Sequence, residues 1–380
     1  MNKSLRGKYA IVGVGNTRYG KVPGISALAH NVDAIAMAIE DSGISKSEVD
    51  AVLTKAPSSD FQMLWSARVS QSLGIVPKVT ATLDQAGASN IGLIGYAMMC
   101  MEMGMCTTAV ISYGDNPVTG KRAFYNRPRG EEAAYGFFGA PLAYAMAARR
   151  HMIEFGTTSE QLGHVAVNAR KNASMNPNAQ FQNPITLEEH QASRFVAEPF
   201  HLLDCCPVSD GGAAVVITSA ERARDLKQKP VYVLGLGQGH PAWDLQHRET
   251  LTTSGARVSG EMAFAMAGLG PEDMRFAQLY DCFTIVPLIT LEDYGFCKKG
   301  EGGPFVSSGN IELGGTIPLN TSGGLLAETG MPGMQLVLEG VRQVRGQCGP
   351  RQVKDASVGI VSGQGGIMTT HATMIIGDQP

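Results

Sequence analysis

The stretch Asp84-Gln85-Ala86-Gly87-Ala88-Ser89-Asn90 decides how this sequence folds. It follows a predicted buried strand at 78–83 and opens an almost wholly apolar helix at 88–104. A helix that is apolar on all sides must lie in the interior, so we expect it between two sheets. The backbone N–H groups of this turn, together with the positive end of the helix, can stabilise an anion.

Two further glycine-containing stretches stand later in the chain. Gly330-Met331-Pro332-Gly333 precedes a predicted helix at 334–345, and Ser362-Gly363-Gln364-Gly365-Gly366 ends a predicted strand. In a loop of this kind the backbone amides can face an acyl group, and the serine hydroxyl can donate a hydrogen bond.

Composition limits the class of protein. A chain of 380 residues exceeds a typical single domain, and 44% hydrophobic with 17% charged residues suffices for a large core. The net charge of −3 gives no electrostatic argument for a nucleic-acid partner. The seven cysteines show no metal-type spacing, which predicts reduced, mostly buried thiols and no metal site.

The ends and apolar runs of the sequence bear on location. The first residues show no signal-peptide pattern, and no apolar run reaches the roughly 18–20 residues that span a bilayer. We therefore predict a cytoplasmic protein without a membrane span.

Predicted strands and helices alternate along the chain, which indicates a parallel sheet covered on both faces. Two series in the same order predict a duplication, with one half at 1–228 and the other at 229–380. Residues from about 116 to 204 break the rhythm. We interpret them as an insertion that covers the site, with helices at 139–154 and 159–172.

These glycine stretches, in this order, resemble the thiolase superfamily over nearly the whole chain, and within it the sterol-carrier-protein-type branch of thiolase-like lipid-transfer proteins. The resemblance implies a thiolase fold of the α/β class, a duplicated five-layer α-β-α-β-α architecture with an inserted covering loop region. It also implies a homodimer, a coenzyme A thioester as substrate and no covalently bound cofactor. Supporting blocks are 200–214 (FHLLDCCPVSDGGAA), 280–283 (YDCF), 291–300 (LEDYGFCKKG), 314–326 (GGTIPLNTSGGLL) and 333–346 (GMQLVLEGVRQVRG).

The residues that perform thiolase chemistry are absent. A thiolase has a nucleophilic Cys in a Cys-Ala-Ser-Gly-type turn, a His in Gly-His-Pro and an acid/base Cys in Cys-x-Gly-Gly-Gly. These positions fall on Gly87, Met331 and Ser362. The resemblance therefore implies that no acyl-cysteine forms at the usual place. It also implies that one pocket is lined by Gly87, Met331, Ser362, Gly365 and Gly366.

The segment Tyr280-Asp281-Cys282-Phe283 matches the stretch that lines the oxyanion site in this family. Steroid side-chain aldolases of the branch also lack the nucleophilic Cys and have Tyr at the position of Tyr280; their second Tyr falls here on Gly330. Retro-aldol cleavage needs a base and hydrogen-bond donors but no nucleophile. We predict Tyr280 as donor and Asp281 as a second catalytic candidate, whose structural alternative is capping the helix that begins near Thr284.

Two further candidates are Cys282 and His371. Cys282 stands two residues from Tyr280 and shares its face if the strand continues, although a buried thiol is inert. A reactive Cys282 would make the protein an acyltransferase, and a third interpretation is a non-catalytic scaffold subunit. His371 lies in the last predicted strand. Members of the branch often pair with a small accessory protein carrying an OB-fold and a zinc ribbon, so we expect such a partner.

Overall fold

A computed structural model describes residues 5–60, 62–120, 134–137, 139–242 and 245–380 of the chain. The first series of elements alternates strand and helix, as the sequence predicts. Its members are β1 (Tyr9–Asn16), α1 (Ala27–Ser42), β2 (Ala51–Lys55), α2 (Trp65–Leu73), β3 (Val79–Leu83), α3 (Ser89–Glu102) and β4 (Thr108–Asp115).

The region predicted as an insertion follows β4 and is mainly helical in its described part. The chain then returns to the sheet through a long buried strand. The elements are α4 (Ala140–Phe155), α5 (Ser159–Ala173), α6 (Leu187–Ala192), β5 (Phe195–Ala197), β6 (Phe200–His201), β7 (Gly211–Ser219) and α7 (Ala220–Ala223). The two predicted insertion helices at 139–154 and 159–172 are confirmed as α4 and α5.

The second series again begins with a strand and its helix. It contains β8 (Val231–Gly239), α8 (Ala256–Ala267), β9 (Phe276–Gln278), α9 (Ile285–Asp293), α10 (Gly302–Ser307), α11 (Gly324–Ala327), α12 (Met334–Arg345), β10 (Val358–Gly365) and β11 (Thr370–Gly377). Short 3₁₀ turns lie at Lys46–Glu48, Leu202–Asp204, Leu245–His247, Pro271–Asp273 and Gly349–Arg351.

The strands show the predicted duplication. Their order in the main sheet is β3-β2-β4-β7-β1-β8-β11-β10-β9, so β2-β4-β7-β1 in the first half matches β9-β10-β11-β8 in the second. The directions match as well: β2 is parallel to β4 as β9 is to β10, while β7 and β11 run antiparallel to both neighbours. The expectation of a parallel sheet was therefore wrong, because the last strand of each series returns in the opposite direction.

Helices α3 and α12 form a middle layer between the strands of the two halves. Helix α3 packs against β2 and β4 of the first half and against β10 and β11 of the second, and α12 likewise contacts strands of both halves. Helices α1 and α8 cover the outer faces. This is the predicted five-layer α-β-α-β-α arrangement. The division of the chain at 228/229 stays a prediction.

The far end of α3 departs from the prediction of complete enclosure. Its first residues are buried, but Met99 is 55% exposed and Met103, at the helix end, is 77% exposed. The helix runs past the layer that covers it. Among the helices that the structure describes, none is long and apolar enough to cross a bilayer.

Candidate active site

Gly87 and Tyr280 lie against each other at the start of α3. An ideal Cβ built on Gly87 would lie 2.6 Å from Cζ of Tyr280 and closer still to its Cε2 and to the carbonyl oxygen of Gln364. Cβ atoms essentially never approach other atoms so closely, so residue 87 has no room for a side chain. The phenol ring thus occupies the space that a nucleophilic cysteine would need.

A second glycine borders the same ring. Gly333 has a φ of 84°, a conformation that favours glycine, and a Cβ there would lie 3.3 Å from Cδ2 of Tyr280. Gly87 and Gly333 therefore both border the side of the Tyr280 ring that carries Cε2. The sequence predicted that this loop lines the pocket, but it named Met331 and not Gly333 as the lining residue.

Met331 is buried, and its sulfur is directed at Gly211, where it would be 2.9 Å from a Cβ. Its backbone joins the site, because Gly333 N–H donates to the Met331 carbonyl at 2.7 Å. The neighbouring Gly330 is equally constrained. A Cβ on Gly330 would lie 2.6 Å from the carbonyl carbon of Pro207 and closer still to its oxygen. A tyrosine at this position, as in the aldolases, does not fit this backbone.

Strand β10 packs against the turn that contains Gln85 and Gly87. Gly363 and Gly365 face the carbonyl oxygens of Gly87 and Gln85, so backbone packs on backbone, and a side chain at either glycine would collide. Ser362, one residue before, is buried, and its Oγ accepts a hydrogen bond from Tyr280 N–H at 3.2 Å. Gly366 is exposed at the end of the strand.

The turn itself uses amides that the sequence predicted to face an anion. Ala88 N–H donates to the Gln85 carbonyl at 3.0 Å, and Ser89 N–H donates to the Ala86 carbonyl at 3.2 Å. Both amides close the turn and so are not available to a ligand in this arrangement. Ala86 adopts a left-handed φ of 48°, which is uncommon for a residue with a side chain and typical of strained functional turns.

The Asp281 side chain packs against the start of α11. Its side chain is fully buried, and Oδ1 accepts a hydrogen bond from Leu325 N–H at 2.7 Å, in the first turn of α11. Burial raises the pKa of the Asp281 carboxyl to about 7, and hydrogen bonds with Leu325 and Asn320 partly offset this rise. The expected cap on the helix near Thr284 was wrong: Asp281 caps α11, and α9 has no side-chain cap.

Cys282 belongs to a separate buried cluster. The strand does not continue to it, since β9 ends at Gln278, and its sulfur accepts a hydrogen bond from Gln364 Nε2 at 3.6 Å. Tyr144 of the insertion completes the cluster: its hydroxyl accepts from Gln364 Nε2 and donates to the Gly366 carbonyl at 3.0 Å. Burial raises the pKa of Cys282 to about 12, so at neutral pH it is a thiol.

His371 lies on the other side of the sheet. Its Nδ1 is 2.9 Å from Ser259 Oγ on the outer helix α8, whereas Gly87 lies on the inner side with α3. The ring is buried, and burial lowers the pKa of His371 to about 3. The structure therefore does not bring His371 to the Tyr280 ring.

The candidate catalytic residues differ in how far they are buried. Asp281, Cys282, Ser362 and His371 are all buried, whereas the Tyr280 side chain keeps partial exposure. In the described ranges no group of three His, Cys, Asp or Glu residues could hold a metal ion. Tyr280 is therefore the least buried of the five groups that the sequence named.

Comparison with known proteins identifies the family. A family described as thiolase C-terminal domain-like matches residues 237–378. The steroid side-chain-cleaving aldolase of Thermomonospora curvata is 39% identical over 361 residues, covering 90% of this chain and 91% of that protein. The 17-hydroxy-3-oxo-4-pregnene-20-carboxyl-CoA lyase of Mycobacterium tuberculosis is 37% identical over 361 residues, 90% of this chain and 92% of the lyase.

A solved structure is similar over the whole chain. The Ltp2-ChsH2(DUF35) aldolase superimposes with a TM-score of 0.90 at 37% sequence identity, over 98% of both chains. The chain belongs to the thiolase superfamily. Within the superfamily it falls in the sterol-carrier-protein-type branch, beside the steroid side-chain-cleaving aldolases. The predicted family, fold and class of enzyme, a thiolase-like carbon–carbon lyase, are confirmed.

Proposed function

We propose that this protein cleaves a β-hydroxyacyl-CoA by a retro-aldol reaction in which the Tyr280 hydroxyl is the hydrogen-bond donor at the reacting oxygen. One observation carries the proposal. The partly exposed Tyr280 ring occupies the space of the missing nucleophile at Gly87, so the site retains a donor where an acyl-cysteine cannot form.

The reaction needs no covalent bond between the substrate and the protein. A base removes the proton of the β-hydroxyl, and the C–O bond becomes a carbonyl while the Cα–Cβ bond breaks. The electron pair of that bond passes to the thioester as an enolate, which is then protonated at Cα. The products are an aldehyde or ketone and a shorter acyl-CoA. A phenol donor can stabilise the charge on either oxygen as it develops.

An acyltransferase that uses Cys282 has less support. The nucleophilic form of a cysteine is the thiolate, and burial holds the pKa of Cys282 far above neutral pH. Its sulfur is also enclosed by Gln364 and Tyr144. No observation in the described residues favours the scaffold interpretation.

The open edge of the sheet supports a homodimer. At one edge, β9 is covered by an extra bridge from Ala277 to Leu319, but β3 at the other edge has no neighbour besides β2 among the described strands. Unpaired edges are natural sites of association, and exposed Met99 and Met103 lie at the end of the helix that packs on β3. We assign this face to a second copy of the chain.

The remaining partners and the location are also proposals. An accessory protein with an OB-fold and a zinc ribbon fits the two-component name of the similar aldolase structure. A cytoplasmic location fits the free state of all seven cysteines, which reducing compartments maintain.

The test is the Tyr280→Phe variant, with and without the accessory protein, on a set of β-hydroxyacyl-CoA esters. Removing one such donor typically lowers the rate on the order of 100- to 1000-fold. Mass spectrometry should detect the shorter acyl-CoA and the carbonyl product, and no acyl group on the protein. An acyl group on Cys282 would favour the acyltransferase, and an unchanged rate would remove Tyr280 from the reaction.

A further inference from the structure

The side-chain amide of Gln364 joins strand β10 to three other segments of the site. Its Nε2 donates to the Tyr144 hydroxyl on α4 and to Cys282 Sγ at 3.6 Å, and its Oε1 accepts from Met368 N–H at 3.0 Å. All four residues are buried. A buried amide is normally satisfied by protein groups, and both polar atoms of this one have partners.

These partners fix the orientation of the amide and the direction of each hydrogen bond. Met368 N–H can only donate, so it faces the amide oxygen of Gln364. Both Nε2 hydrogens are then directed at Tyr144 and Cys282. The Gly366 carbonyl can only accept, so the Tyr144 hydroxyl donates to it at 3.0 Å and accepts from Gln364. Each hydrogen of the amide and of the phenol therefore has an acceptor.

The backbone of Gln364 borders the Tyr280 ring. The Gln364 carbonyl oxygen and the edge of the phenol ring both border the space that a side chain on Gly87 would need. The carbonyl is therefore part of the surface that limits where the ring can lie. Loss of the hydrogen bonds that hold the Gln364 side chain lets this boundary shift.

The segment that contains Tyr280 is held by the same two residues. Gln364 contacts Cys282, and the Tyr144 ring packs on the Phe283 ring with centroids 4.7 Å apart. Cys282 and Phe283 follow Tyr280 by two and three residues. The pair of Tyr144 and Gln364 therefore contacts both the boundary of the phenol ring and the backbone segment that carries it.

We infer that Tyr144 is a positioning residue for the Tyr280 ring and acts on it through Gln364 and Phe283. Its own hydroxyl hydrogen is directed to the Gly366 carbonyl, so in this arrangement Tyr144 does not donate to a substrate. Helix α4 of the insertion thereby takes part in the geometry of the site. The catalytic part of this inference rests on the proposed retro-aldol function, whereas the positioning part does not.

Amide hydrogen exchange at Met368 tests the link between Tyr144 and Gln364. Tyr144→Phe keeps the ring on Phe283 but removes the acceptor of one Gln364 hydrogen, which loosens the amide that holds Met368. Exchange of the Met368 amide should become roughly five- to tenfold faster, as expected for weakening of one hydrogen bond. Gln364→Met removes the acceptor itself and should accelerate exchange at least as much.

Two controls separate a local effect from a general one. Amides of β1 in the same samples should keep their exchange rates, and an equal acceleration there would show a general loss of stability and overturn the inference. Tyr9→Phe is the matched variant, because Tyr9 is another buried tyrosine whose hydroxyl donates to Glu102 at 2.9 Å. It should leave the Met368 amide unchanged.

The kinetic test uses a double-mutant cycle with a β-hydroxyacyl-CoA that the wild type cleaves. Tyr144→Phe should lower kcat about tenfold with little change in KM, and should have no further effect in Tyr280→Phe. Tyr9→Phe should change neither constant. If Tyr144→Phe does not fold, Gln364→Glu carries the same kinetic prediction, because its carboxylate keeps an oxygen for Met368 and has no hydrogen for Tyr144.

Additive effects in the cycle, or an unchanged Met368 amide in Tyr144→Phe, would overturn the inference. Faster exchange at Met368 together with a wild type that cleaves no β-hydroxyacyl-CoA would leave the positioning standing and refute the proposed function instead.

Discussion

The ring of Tyr280 fills the volume that a side chain on Gly87 would require. The two residues are separated by almost two hundred positions in sequence, yet each determines what the other can be. A cysteine at position 87 requires Tyr280 to move, and Gln364 would still obstruct it from β10. The absence of a cysteine at position 87 and the position of the Tyr280 ring therefore depend on each other.

Gly87→Ala should destabilise the protein and abolish cleavage, because the new methyl group overlaps the Tyr280 ring and the Gln364 carbonyl. Overpacking of this kind costs about 1–3 kcal/mol of unfolding free energy. Thermal unfolding and a cleavage assay measure both effects. Gly95→Ala is the control, since a Cβ there lies 3.7 Å from Leu236 in ordinary contact, and alanine favours a helix. Equal melting temperatures of the two variants would contradict the overlap.

Gly330→Tyr should not restore the second tyrosine of the aldolases. A side chain at this position meets the Pro207 carbonyl, so the loop must shift and carry Gly333 with it. We expect Gly330→Tyr to have a lower melting temperature and no gain in the rate of cleavage. Gly330→Ala should already lose more unfolding free energy than the ~1–3 kcal/mol that overpacking usually costs. A stable Gly330→Tyr protein with faster cleavage would show that the 207–211 segment adapts.

Asp281 should make stability fall as pH rises. The unfolded chain ionises near the ordinary value of 3.8, whereas burial keeps the folded carboxyl protonated up to about pH 7. Between these values the unfolded state binds fewer protons, so the free energy of unfolding decreases with increasing pH. Urea titrations at several pH values in this range give the free energy of unfolding at each pH. Its slope against pH should be smaller in Asp281→Asn, which retains an oxygen for Leu325.

The slope should be reduced but not removed, since burial also raises the pKa of Glu328 to about 7 with the same sign. Asp355→Asn serves as the control, because Asp355 is exposed and its left-handed φ of 54° suits asparagine. An identical slope in Asp281→Asn and wild type would mean that Asp281 is ionised in the folded protein.

Met103→Glu combined with Met99→Glu should weaken the homodimer. By twofold symmetry each substitution enters the interface twice, and like charges that face each other there raise the dissociation constant roughly tenfold or more. Analytical ultracentrifugation over a range of concentrations measures the change. Met37→Glu is the control, being 45% exposed on the outer helix α1. Dissociation of the control alone would place the interface elsewhere.

The sequence predicted the architecture because the pattern is local. The apolar helix, the alternating strands and the three glycine loops each occupy a continuous stretch, and their order specifies the duplication. The convergence of Gly87, Tyr280 and Ser362 was also predictable from the family resemblance, and the structure brings these three together.

Other parts of the site depend on contacts between distant residues, which no local pattern records. Tyr144 reaches Gln364 and Gly366 from an insertion whose sequence gives no sign of the destination. Asp281 caps α11, more than forty residues away, instead of the adjacent helix. Strand β9 ends at Gln278, before both Tyr280 and Cys282, so the two residues do not share a strand face. The ends of strands are poorly specified by sequence.

The middle layer has a consequence for how the chain folds. Because α3 and α12 each complete their burial only against strands of both halves, neither half has a finished core alone. The two similar halves are therefore not two folding units. Loss of structure in one half exposes the central helix of the other, so the duplicated chain gains and loses its structure as a single cooperative unit.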